Sequence, residues 1–413
     1  MNSLQVHKKT SKIIIIGPVY PWRGGIAHST YILAKNLSIN NDVSLISFYK
    51  QYPLFLYPGK EQKEKATYSR EFEFSEFKVD YLLNPLNPIS WIKALDIIKE
   101  VQPDGIIFKW WHPFFSLCYT SIALAAKNLL KSKPSAICYC HNVLPHEGSV
   151  LGTLLTRLFF KSQDYFVCLS SDEVDALKKV DPNADCGFLI EPTYDEFFSK
   201  KTMDKTDARR ALNIKETEKM ILYFGLIRRY KGIEYLIEAF PKILSELKYV
   251  KLYIVGEWWI DKSRYIESIE KLGLKDNIML IDKYVSEEDV KRYFSSADLM
   301  ILPYTSATQS AVLQLAFAYD LPVIATRVGS FKDLIVHGKT GFLIRPQNSD
   351  EIVDYCLQYF QENLGSEIGK NINAGKEKLF GWNKSKEDLV LKPVSSRTSE
   401  KNNWLKRFLS GRR

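Results

Sequence analysis

At 413 residues the chain is too long for one ordinary core, so two domains are expected. Hydrophobic residues make up 46% and charged residues 25%, and the net charge of +9 favours anionic partners. No zinc finger, RNP-like aromatic pattern, long basic helix, signal-peptide core or run near ~20 apolar residues is present, which points away from nucleic acid, secretion and membrane spanning. Cysteines 118, 138, 140, 168, 186 and 356 show neither Cys-x-x-Cys nor zinc spacing, so reduced, buried thiols in a cytoplasmic protein are expected.

Lys12–Gly17 reads as a nearly continuous apolar strand, hence central in a sheet covered on both faces. In the following loop, Gly24 and Gly25 let backbone approach a ligand closely, just before a helix expected over Ile26–Leu37. The spacing is not Gly-x-Gly-x-x-Gly, so no dinucleotide fingerprint exists. Val43–Phe48 is the next strand, Gln51–Arg70 a long polar loop, Val79–Leu83 a strand, Ser90–Glu100 a helix and Gly105–Lys109 another buried strand. Trp110, Trp111 and His112 then open a dense aromatic run, which either packs a core under a loop or walls an acceptor pocket. Ser116–Leu130 is expected to be helical and Ala136–Cys140 a strand. His141 stands at that strand's carboxyl tip, where open α/β sheets bind ligands, and an imidazole can donate to phosphate or hydroxyl oxygen near neutral pH. The apolar helix Gly148–Lys161, with Arg157 and Lys161, and the runs Tyr165–Leu169, Ser171–Val180 and Cys186–Ile190 continue the rhythm.

Polar Pro192–Lys205 reads as the domain linker, after which the alternation restarts. Strand Met220–Phe224 runs into Gly225-Leu226-Ile227-Arg228-Arg229-Tyr230-Lys231-Gly232, then a helix. Cations do not stabilise the positive end of a helix dipole, but an anion between them resolves the conflict. A diphosphate fits, because Arg supplies forked hydrogen bonds and Lys a point charge. Further on, Leu299–Leu302 and Ser306–Gly329 form a strand, polar turn, helix and strand, a parallel crossover. Uncharged Thr308, Gln309 and Ser310 in its turn suit a sugar or phosphate better than a metal, unless Ser310 merely caps the helix. Ser349–Gln361 is amphipathic and helical. Arg397–Arg413 carries six basic residues against Glu400, with Trp404, Leu405, Phe408 and Leu409 among them: a solvated tail or, with Gly148–Lys161, a membrane-surface pattern.

Taken in order, these motifs resemble the family-4 glycosyltransferases of the GT-B fold, over about Lys12 to Leu391. The Pro-x-x-Gly-Gly loop, the strand-end His, the loop ending Lys-Gly, the Val-Gly-Glu strand end, Ala-Asp-Leu-Met-Ile-Leu-Pro-Tyr and Leu-Pro-Val-Ile-Ala-Thr all occur in family sequence. His-Asn-Val-x-Pro-His-Glu, Gln-Tyr-Pro and Trp-Trp-His-Pro-Phe-Phe resemble a bacterial polysaccharide-assembly branch. The resemblance implies an α/β architecture of two Rossmann-like parallel-sheet domains facing across a cleft. Residues 1–197 would form the acceptor-side domain and 198–375 the nucleotide-sugar donor domain. A helix over 376–392 would pack back on the first domain, ahead of a basic, disordered tail over 393–413.

The same resemblance implies retaining transfer of a sugar from a nucleotide-diphosphate sugar to a hydroxyl of a lipid-linked glycan, in the cytoplasm or on the inner face of the membrane. No cofactor and no metal is expected. By position, Gly24 and Gly25 face donor phosphates and acceptor, His141 touches the transferred sugar, and Lys231 with Arg228 or Arg229 holds the diphosphate, since Leu226 occupies the family's arginine position. Gly225, Gly256, Tyr284, Thr308, Gln309, Ser310 and Gln314 complete the donor side, and Trp110, Trp111 and His112 the acceptor side. Two family glutamates fall at Ala307 and Leu315, which leaves Gln309, Ser310 and Gln314 to meet the hydroxyls. The competing expectations are a catalytically inactive sugar-nucleotide-binding scaffold and a sugar-nucleotide epimerase.

Overall fold

The apolar runs become two parallel sheets. The computed structural model describes residues 11–53, 57, 59, 61–64, 77–144, 149–191 and 203–379, in two compact units that divide at Leu189/Ile190.

The first unit holds seven strands: β1 (Lys12–Ile16), β2 (Asp42–Phe48), β3 (Lys78–Leu83), β4 (Gly105–Trp110), β5 (Ser135–Cys140), β6 (Tyr165–Cys168) and β7 (Cys186–Phe188). They lie in the order β3-β2-β1-β4-β5-β6-β7, all parallel. Ile13 to Ile16 are wholly buried because β1 is flanked by β2 and β4 and covered on both faces. Helices Gly25–Ser38, Pro88–Val101, Ser116–Leu129, Val150–Lys161 and Ser171–Val180 carry the crossovers. Three of them start on a side-chain cap: Asn87 accepts from Ile89 N, Ser149 from Gly152 N and Ser170 from Glu173 N.

The second unit holds β8 (Lys219–Phe224), β9 (Val250–Val255), β10 (Ile278–Ile281), β11 (Leu299–Leu302), β12 (Val323–Thr326) and β13 (Phe342–Ile344). Their order is β10-β9-β8-β11-β12-β13, again parallel. The chain winds outward from β8 to β10, then crosses back to lay β11 beside β8. That makes β8/β11 the switch point of a doubly wound sheet. Arg209, on helix Lys205–Ala211, donates to Asp298 Oδ2 at 2.6 Å and to the carbonyls of Ser296, Glu216 and Glu218. Asp298 also accepts from Met220 N at 2.7 Å, so one carboxylate ties that helix to the entry of β8.

Helix Lys205–Ala211 begins where the linker was expected to end, and residues 192–202 of that linker lie outside the described residues. Helix Gly365–Leu379 runs across the expected 375/376 boundary. The remainder of the helix expected to 392, and the basic tail, lie outside the described residues. All six cysteines are buried and free: Cys118, Cys138, Cys140, Cys168 and Cys186 in the first unit and Cys356 in the second. Among the described residues no helix is long and apolar enough to cross a membrane.

Candidate functional site

The second unit's site is built on glycines at strand ends. Gly225 follows β8 at φ +112 and its amide donates to Val255 O at 3.0 Å. Gly256 follows β9, and a Cβ there would stand 1.9 Å from Gly225 O, so only glycine lets these two ends lie together. The loop then tightens into a single turn, Arg229–Lys231, closed by Gly232 at φ +62. A Cβ on Gly232 would strike Pro303 O at 2.0 Å. This close approach of the β8 and β11 loops turns Lys231 inward. Its Nζ donates to Tyr304 Oη at 2.7 Å and sits 4.4 Å from the centre of that ring. Lys231 is only 7% exposed. Burial pulls its pKa below the ordinary lysine value, with Tyr230 opposing the shift and Arg228 adding to it.

Tyr304 lies next to Ser310, and burial raises its phenol pKa. Ser310 occupies the N-cap of helix Ala311–Ala318, yet its side chain makes no capping bond. The plain capping role is therefore not what holds it there. Among the described residues, Gln314 Oε1 and Ser330 Oγ are buried without a hydrogen-bond partner. Ser330 N donates to Thr308 O at 3.0 Å, and a Cβ on Gly329 would meet Ala307 O at 2.2 Å, so the backbone after β12 presses on the same turn.

Glu191 was not singled out from the sequence. It is 5% exposed; its carboxylate accepts from the Gln309 side-chain amide and its carbonyl from Gln314 Nε2 at 2.9 Å. The only trace in the sequence is a lone acid at the carboxyl end of the apolar run Cys186–Ile190. Lys231 and Ser310 thus meet at Tyr304, with Gly225 beside Lys231 and Gly256 against Gly225, while Gln314 is held by Glu191. Arg228 stacks its guanidinium 4.4 Å from the Trp259 ring, Arg229 is exposed, and Tyr284 follows β10 at the sheet's edge.

In the first unit, Gly24 caps helix Gly25–Ser38 at φ +104, with no side-chain cap and nothing within 4 Å of a would-be Cβ. His141 follows β5, donates its backbone amide to Trp110 O at 2.8 Å and is 5% exposed. Two neighbours went unread. Lys109 is fully buried inside β4, donates to Ser29 Oγ at 2.7 Å and lies 3.6 Å over the Tyr139 ring. A Cβ on Gly17 would come within 2.6 Å of Lys109 Cγ, so that glycine makes room for the lysine stem. His28, in the first turn after Gly24, is pushed down to about 4 by burial and is neutral at pH 7.

Of the two expectations for the aromatic run, core packing describes Trp110, while Trp111 and His112 stay at least partly exposed. Trp110 is buried and stacks on Phe159 at 4.4 Å, because its position on β4 points into the helix layer. Trp111 is half-buried, packs 4.2 Å from Phe115 and donates to Tyr52 Oη at 2.7 Å. His112 is exposed and caps the turn Pro113–Phe115, its Nδ1 accepting from Phe114 N at 3.1 Å.

The segment after His141 is held by Glu173, whose carboxylate accepts from Val143 N. Burial pushes the Glu173 carboxyl up to about 7, against the pull of that amide. Between the unfolded value of 4.5 and about 7 the folded chain binds the extra proton. Stability is therefore greatest below 4.5 as far as this group is concerned, and falls as pH rises through 7. Glu173→Gln is expected to remove this slope and to be more stable than the parent at pH 8 by about 3 kcal/mol, as read by urea unfolding at pH 5 and 8.

Residues 204–376 match the family described as Glycosyl transferases group 1. Over 150 residues the chain is 34% identical to an uncharacterized glycosyltransferase of Methanocaldococcus jannaschii, which covers 36% of this chain and only 37% of that protein. The lipopolysaccharide 1,2-N-acetylglucosaminetransferase of Salmonella typhimurium is 27% identical over 396 residues, 90% of this chain and 94% of its own. Anabaena HepE, solved in complex with UDP-glucose, shares the fold at a TM-score of 0.68 and 15% identity, over 90% of this chain and 95% of that one.

Proposed function

Residues 204–376 belong to the group 1 glycosyltransferase family, and on that premise we propose that the protein moves a sugar from a nucleotide-diphosphate sugar to a hydroxyl of a lipid-linked glycan at the cytoplasmic side of the cell envelope. One observation carries the reading. Lys231 is a buried ammonium at the β8/β11 switch point, and among the described residues no carboxylate pairs with it. An uncompensated buried charge is costly, and a diphosphate laid against Gly225 would offset it. In the reaction the bond from the anomeric carbon to the diphosphate oxygen breaks and its electron pair leaves with the diphosphate. The acceptor oxygen bonds to that carbon with retained configuration, and its proton passes to the departing diphosphate oxygen. Lys231 and the free amides at Ala311 meet the charge that grows on the leaving group, without a metal ion.

The relatives support the class of substrate. HepE is described with UDP-glucose and the Salmonella protein as a lipopolysaccharide enzyme. The test is a panel of UDP-, GDP- and ADP-sugars, scored by donor turnover and by thermal shift. At least one donor is expected to raise Tm and to turn over, at a rate that EDTA leaves unchanged. A second reading, a binding scaffold without turnover, is favoured by Ala307 and by buried, apolar Leu315 in the turn and helix. Binding without turnover of any donor would establish it.

A further inference from the structure

Helix Val150–Lys161 is built inside out. It buries Gly152, Thr156, Phe159 and Phe160, and it turns Val150, Leu151, Leu154 and Leu158 outward, with Val150 90% exposed. These outward positions recur every three or four residues, so they form one stripe. Beside it runs helix Ser116–Leu129, which exposes Leu117 and Leu124. Pro113 packs by Gly152 at one end and Lys127 Nζ donates to Ser162 O at the other, so the two helices run alongside each other. Neither helix contains an Asp or a Glu. Lys127 is neutralised by Asp164 at 2.9 Å, whereas Arg157 and Lys161 stand exposed on the leucine stripe.

An apolar stripe on helices whose only charged side chains are cations wants an apolar partner with an anionic boundary. We infer that this face docks on the surface of an anionic lipid bilayer. The leucines enter the acyl boundary, and the stems of Arg157 and Lys161 lie along them while their heads reach lipid phosphate. A second copy of the chain fits badly, because two-fold pairing sets cation against cation with no acid on either helix to answer. The chain's own segment 397–413 carries six basic residues against one acid, so it repels the same face. The face belongs to the first unit, and its test needs no turnover, so its failure is separable from that of the donor reading.

The test is sedimentation of the full chain with phosphatidylcholine vesicles, either pure or with about 30% phosphatidylglycerol. Partition is expected to be stronger on the anionic vesicles. Leu151→Gln/Leu154→Gln/Leu158→Gln is expected to weaken it by about a hundredfold on both kinds. Arg157→Gln/Lys161→Gln is expected to weaken it by about tenfold on anionic vesicles only. All five side chains are partly or fully exposed, and unchanged thermal unfolding verifies that the variants fold. Any of four results would overturn the inference: no partition of the full chain, full partition of the leucine variant, loss of partition in a chain ending at Leu391, or a lipid-free dimer that the leucine variant converts to monomer.

Discussion

Lys231→Met is expected to lower donor turnover by about 10²–10³-fold and to weaken nucleotide-diphosphate binding. Methionine keeps the stem that packs beside Tyr304 and removes only the ammonium, so the fold is retained while the charge is lost. The effect is large because Lys231 is only 7% exposed, its Nζ held at Tyr304 Oη and close to Gly225, so little solvent screens it. Tyr304→Phe is the control, removing the 2.7 Å bond and leaving the cation; it should cost far less. The measurement is kcat and KM on whichever donor the panel identifies, together with nucleotide Kd by calorimetry. If the variant that also neutralises Arg228 and Arg229 retained parental affinity and rate, the diphosphate cradle would be elsewhere.

Asp298→Ala is expected to destabilise the second unit by about 2 kcal/mol, less than breaking a fully buried ion pair costs, because the Asp298 side chain is 22% exposed. Arg209 would keep its carbonyl partners but lose the charge that answers its own, and it is only 6% exposed. Met220 N would lose its acceptor at the same time. Asp298→Asn, which can still accept from Met220 N, should recover part of the loss. Urea unfolding followed by tryptophan fluorescence reads both. An Asp298→Ala midpoint equal to the parent's would mean that the carbonyl cage alone satisfies the guanidinium.

Much of the architecture was readable because parallel strands buried on both faces write themselves as short apolar runs bounded by Gly and Pro. Ile13–Ile16, Leu299–Leu302 and Leu321–Thr326 are of this kind, and each contains a strand. The Gly225–Gly232 loop was also legible, since three cations ahead of a helix conflict with its dipole in the sequence itself. What closes the site was not. Lys231 finds Tyr304 across 73 residues, and Glu191 finds Gln314 across 123, contacts that exist only once β11 lies beside β8. Lys109 escaped notice because a strand of isoleucine and phenylalanine gives no hint that its lysine is threaded past Gly17 to Ser29. Which alternative applies at Trp110 was not readable, because side-chain direction on a strand depends on register with the helix layer, which composition does not encode. Short helices such as Lys205–Ala211 and Phe331–Leu334 lack the two full turns that a periodic signal needs.

The cysteines turn this chain into its own double gauge. Five sit in one unit and a single one, Cys356, in the other, and none reaches the surface while the fold is closed. A pulse of alkylating reagent under partial denaturation therefore stamps each molecule with a mass increment that tells which half opened: five adducts for the first, one for the second. Whether the halves melt together or in turn can be counted on the intact polypeptide, without labels, mutations or cutting it in two.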